Sequence, residues 1–249
     1  MLTSFWPNGR TGMRRVVAAA VVTVVATLCG GGTMMTLHAQ SNAPTAPAPS
    51  VVQPPGAAGT AAEKQALVRN WFFAAATLDF PALVTLSDPG STDKFKLVME
   101  RTPDLATTRG TDEFKALEKR IQELLPQVLT VGDPVAEGDA EAWLPITVDE
   151  AKAAQWVELK ELVNIYVNEV DAARRDKRPP MKVEDLTKRA RESDPSFTAN
   201  VKANTASLLT QAKLVPKAWI VQDHGAWKVN LTRLERESRE AATAASAKK

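Results

Sequence analysis

The chain has 249 residues, 44% of them hydrophobic and 24% charged, which excludes wholesale disorder, a collagen and a polytopic membrane protein. The formal net charge of +2 misleads, because residues 1–39 hold three Arg and no acid; the remainder carries 28 Lys and Arg against 29 Asp and Glu, net −1. A near-neutral chain has no built-in attraction to nucleic acid or anionic lipid.

Arg14-Arg15 precedes an uncharged stretch from Val16 to Leu28, and Gly30-Gly31-Gly32 follows. Positive charge, a short apolar run and a small-residue exit are the parts of a secretory signal, with cleavage expected before Gln40. Two further readings use the same residues. Val16 to Leu37 is 22 uncharged residues, enough for an uncleaved anchor across a hydrocarbon core of about 30 Å. Acylation of Cys29 is disfavoured by the bulky Leu28 before it, and two arginines alone are weak evidence for a twin-arginine signal. Each version exports the rest of the chain to the periplasm or beyond. Residues 40–62 carry five Pro among Ala, Ser and Thr, the composition of a semi-extended tether.

One folded domain is expected from Glu63 to about Leu234. Leu67, Trp71, Phe72, Ala75 and Leu78 recur at helical steps, and Pro81 suits the first turn of a second short helix. Ser87 to Thr111, punctuated by Pro89-Gly90, Pro103 and Gly110, reads as mostly loop with a helical turn at Phe95–Glu100. Asp112 caps a helix whose stripe is Phe114, Leu117, Ile121, Leu124 and Leu125. A hairpin follows, from the β-branched run Val128–Val135 and the alternating Ala142–Val148, with Pro145 at an edge or bulge. Residues 149–213 read as a helical block: Trp156, Leu159, Val163, Tyr166 or Val167, and Val170 form one stripe, and Leu186 and Ala190 face inward from a shorter helix. Val201, Leu208, Leu209 and Ala212 do so from a last one. A second hairpin joins Ala218–Gln222 to Ala226–Leu231, Gly225 supplying the positive φ of its turn. Residues 235–249 are a charged, then Ala-rich tail expected to fray.

Three segments resemble the NTF2-like superfamily, most of all its secreted bacterial members: Trp71 to Ala82 (WFFAAATLDFPA), Val131 to Val148 (VGDPVAEGDAEAWLPITV) and Trp219 to Leu231 (WIVQDHGAWKVNL). The resemblance implies an α+β cone, with N-terminal helices packed on a bent antiparallel sheet that encloses a pocket. The block at residues 149–213 departs from the family pattern, since members pass between these hairpins in a few residues. Added helices there would fill or cover the pocket mouth.

The catalytic inventory is thin. After Ala39 the chain has one His, one Tyr and no Cys, so thiol chemistry, disulfides and Cys/His zinc sites are excluded from an exported mature chain. His224 reads as a solvated turn residue whose neighbour Asp223 points away from it. Asp88, Asp93 and Asp104 lack the alternate spacing of a calcium loop and read as caps or solvated groups. The basic run Ala172–Arg178 reads as a solvated helix end. Core packing is the ordinary fate of Trp71, Trp143, Trp156, Trp219 and Trp227. Trp71, Trp143 and Trp227, with Phe72, are the candidates to line an apolar ligand pocket.

These residues point to an exported, non-enzymatic domain that binds a partner protein or small apolar ligand, without cofactor, metal or nucleic acid. A homodimer is compatible, and membrane contact would come only through residues 16–37. The alternatives are an anchored assembly component of a secretion- or conjugation-type complex and, less favoured, an isomerase- or cyclase-like enzyme.

Overall fold

Thr60 starts the first helix by local bonding. Its hydroxyl accepts from the Glu63 amide while the Glu63 carboxylate accepts from the Thr60 amide, a reciprocal cap that satisfies two orphan donors. The structure is a computed structural model that describes residues 59–102 and 104–246. The segment expected to be an export signal and nearly all of the expected tether lie outside the described residues.

The N-terminal helices are α1 (Ala61–Ala76), α2 (Phe80–Leu86), α3 (Pro89–Arg101), α4 (Leu105–Arg109) and α5 (Asp112–Val128). The region expected to be mostly loop is therefore two helices. Pro89 sits in the first turn of α3, where its missing N–H costs nothing and its fixed φ favours the helix; Pro-Gly here marks a beginning, not a break. The buried face of α1 is Val68, Trp71 and Ala75, rotated from the face anticipated with Leu67 and Leu78, which are only half-buried.

The strands are β1 (Leu129–Val131), β2 (Val135–Ala136), β3 (Glu141–Val148), β4 (Lys217–Asp223) and β5 (Ala226–Val229). They form a curled antiparallel half-barrel in the order β1-β3-β4-β5, with β2 also paired to β3. Between β3 and β4 the chain makes α6 (Glu150–Arg175), α7 (Val183–Ser193) and α8 (Pro195–Leu214), and α9 (Leu231–Ser246) follows the sheet. The protein is thus α+β, with nine helices among the described residues. Because β3 and β4 are hydrogen-bonded neighbours, the three helices are an excursion that leaves the sheet and returns to the adjoining position.

Pro145 lies inside β3, a central strand, yet it breaks no ladder bond. Its carbonyl accepts from Gly132, so its nitrogen faces the same side, where the partner strand is interrupted. Val131 faces Ile146 while Val135 faces Trp143: four steps along one strand meet three along the other, which defines a bulge. Gly132 is needed there, since a Cβ would come within 3.2 Å of the Pro145 ring. In the last hairpin both loop residues have positive φ, 49° for His224 and 82° for Gly225, the two-residue turn whose twist matches its strands.

The core sits between the sheet, α1, α5 and α6. Phe114, Leu117, Ile121, Leu144, Leu162, Tyr166 and Ile220 are fully buried, and the Phe114 and Tyr166 rings meet at 6.4 Å across the α5–α6 contact. On α8, by contrast, Phe197 is the buried residue, and Val201, Leu208, Leu209 and Ala212 are only half-buried. From Glu235 to Ser246 the tail is helical rather than frayed. It continues α9, with Leu231, Leu234 and Ser238 buried and Glu235 paired to Lys94 at 2.7 Å. Among the described residues no helix is long and apolar enough to cross a membrane; the candidate span at residues 16–37 lies outside them.

Candidate functional site

Strand alternation decides where the expected aromatic residues go. On β4, Trp219 faces Trp143 and Gln222 faces Trp227. An odd-numbered and an even-numbered residue of one strand point to opposite faces, so Trp143 and Trp227 lie on opposite sides of the sheet. A single cavity walled by Trp71, Trp143 and Trp227 therefore does not form. Trp71 is core, 2% exposed, its Nε1 donating to Ser87 Oγ at 3.0 Å. Trp227 packs under the Lys64 ammonium, 4.1 Å from the ring centre.

Trp143 belongs to a charged and aromatic cluster beneath α9. The Arg233 guanidinium stacks 3.3 Å from the centre of the Trp219 ring and bonds both Glu141 and Glu137. Lys217 Nζ lies 4.8 Å from the Trp219 ring centre and 5.6 Å from that of Trp143, with Glu237 at 3.4 Å. Stacked guanidinium, two carboxylates and a covered indole fasten α9 to the sheet.

Phe72, alone of the four candidates, lines a concave site. The Trp71 ring meets it edge-on at 5.4 Å. An apolar cleft of about 70 Å³ lies between α5, the β1–β3 edge, α6, α8 and α9. Phe72, Leu125, Ile146 and Trp156 line it together with Leu208 of α8 and Leu234 of α9. Three lining side chains are polar: Gln211, Lys217 and Ser238. The apolar residues on α5, α6 and α8 were legible as helical stripes; the contribution of α9 was not, since only the tertiary packing brings it here.

A larger groove of about 450 Å³ runs between α6 and α7, with Asn168, Glu169, Leu186 and Arg189 along it. Its buried carboxylate is already used. Glu169 accepts from Arg178 and, at 3.0 Å, from the Met181 amide, and the Arg178 guanidinium holds the carboxyl below its usual range against the opposing effect of burial. Arg178, expected to be a solvated helix end, instead closes the turn after α6. Burial pushes the Tyr166 phenol up; its hydroxyl meets Thr111 Oγ1 at 3.1 Å.

The remaining expected groups have structural settings. His224 is 96% exposed, and the Asp223 carboxylate comes to 3.6 Å of its Nε2, nearer than expected but beyond hydrogen-bond reach. Asp88 is buried rather than solvated, accepting from Ser91, Thr232 and the Leu231 amide. Asp93 pairs with Lys96 and Asp104 with Arg174. Among the described residues no group of three or more His, Cys, Asp or Glu is placed to hold a metal ion.

No family model matches the chain, and neither a curated protein nor a solved structure does.

Proposed function

We propose that this is an exported, non-enzymatic domain of NTF2-like type that binds a small apolar ligand in the cleft under α8. The export reading rests on Arg14-Arg15 and the uncharged run after them, and the NTF2-like reading on the three resembling segments and the curled sheet over α1. The observation that carries the binding role is the lining: aromatic and aliphatic side chains from seven elements converge with three polar groups, the composition small-molecule pockets use. The cleft is small for a ligand, but its outer wall is the least anchored helix. With Phe197 its one buried residue, α8 gives way at lower cost than α5 or α6.

The test is titration of the protein with an uncharged apolar dye, N-phenyl-1-naphthylamine. A saturable one-to-one rise in dye emission is expected, accompanied by a change in tryptophan emission that the Trp156→Phe variant lacks. Leu208→Glu, a change at a half-buried wall position, should weaken binding at least tenfold. A flat dye response overturns the reading.

A further inference from the structure

We infer that α9 is a strap whose ion pairs govern entry to the cleft under α8, so that access quickens as ionic strength rises. The inference rests on the binding reading above and adds how that site is regulated. A cleft of about 70 Å³ has to widen before a dye-sized molecule fits, since small-molecule pockets start at roughly 300 Å³. Leu234 and Ser238 of α9 belong to its lining, and α9 also packs against α8, so room made by α8 depends on what holds α9.

The start of α9 is pinned. Leu231 is buried, and Asp88 accepts from its amide and from the Thr232 hydroxyl. Beyond that turn ion pairs tie the helix to its neighbours. Arg233 pairs with Glu137 at 2.7 Å and with Glu141, Glu235 with Lys94 of α3 at 2.7 Å, and Glu237 with Lys217 of β4 at 3.4 Å. The Lys94 and Glu137 side chains are 47% and 50% exposed, and pairs that reach solvent weaken as salt screens them. The closed position also carries a cost. Trp219 Nε1 and Arg233 Nε are buried at this contact without a hydrogen-bond partner. Such donors have given up water for nothing, and lifting α9 opens their contact to water again. A helix pinned at one end, held by screenable charge and burdened by two orphaned donors is built to pivot about its first turn.

The experiment is stopped-flow mixing of the full chain with N-phenyl-1-naphthylamine, an uncharged dye that forms no ion pair of its own for salt to screen. Raising sodium chloride from about 10 mM to about 1 M shortens the screening length from roughly 30 Å to roughly 3 Å and should speed dye entry about fivefold. Glu137→Gln and Lys94→Gln lie on different elements and outside the cleft lining. Each should speed entry about threefold at low salt, the scale of one partly exposed ion pair. Dye release should quicken equally and equilibrium affinity stay the same, because a strap that closes again over the dye alters both rates alike. The two changes together should flatten the salt dependence. Entry that ignores salt and both variants, or variants that shift affinity without shifting rate, overturns the strap while dye binding keeps the cleft as a site. A flat dye response overturns the binding reading and the strap with it.

Discussion

The helices under the sheet and the helices of the excursion are built to different densities. Helix α1 buries five of its 16 residues and α5 six of 17, whereas α8 buries one of 20. All three contain many apolar residues, so hydrophobic content does not separate them. Placement does. α1 and α5 lie against the sheet and each other, with apolar neighbours on several sides. α8 rests mainly on α6 and α7, with fewer contacts to β3 and α9. A helix bounded in this way adds area without locking itself down, and the apolar cleft opens under its C-terminal half.

The contrast can be broken first at the dense layer. Trp71→Ala removes a buried indole and orphans the Ser87 hydroxyl, with an expected loss of about 3–5 kcal/mol. Denaturant unfolding followed by fluorescence and by circular dichroism should shift together; if the probes separate, the two layers do not unfold as one unit. Phe197→Ala tests the light layer. It should cost global stability less, roughly 1–2 kcal/mol, because the site collapses easily. Hydrogen exchange should accelerate at least tenfold in α8 and stay unchanged in β3 and β4; uniform acceleration would show that α8 is locked to the core after all.

Within the excursion Glu169 ties α6 to the turn that follows it, and Glu169→Gln should lose about 1–2 kcal/mol at neutral pH. The Arg178 bonds hold the folded carboxyl below the unfolded value of about 4.3. The wild-type advantage is therefore fully present above that value and lost as the pH falls through the lower folded pKa. Thermal unfolding of wild type and variant should converge in acid, and a pH-independent gap would refute the assignment. The smallest effect belongs to the hairpin turn. His224→Gly should stay within about 0.5 kcal/mol of wild type, while His224→Ala should lose about 1 kcal/mol from the left-handed backbone alone. A ligand-binding defect in His224→Gly would give the imidazole a role its exposure does not predict.

Periodicity carried far where contacts are local. The stripes of α5 and α6 and the alternation along β3 mark their buried faces directly. It failed where the deciding partner is distant. The charged run from Glu235 reads as a fraying tail because the partner of Glu235, Lys94, lies 141 residues away in the chain. Trp143 and Trp227 both sit in alternating strands, but which sheet face each takes depends on the β3–β4 register, set by the return of a chain that has just built three helices.

Asp88 has a consequence for how the molecule is made. Its carboxylate receives the Leu231 amide, 143 positions further along, and the Thr232 hydroxyl beside it. On a ribosome, α3 emerges long before those two groups exist, so during most of synthesis this acid has Ser91 alone among these donors. The early helices can assemble around their aromatic centre, but the latch shuts only when α9 arrives. A chaperone that acts before then meets a domain still ajar.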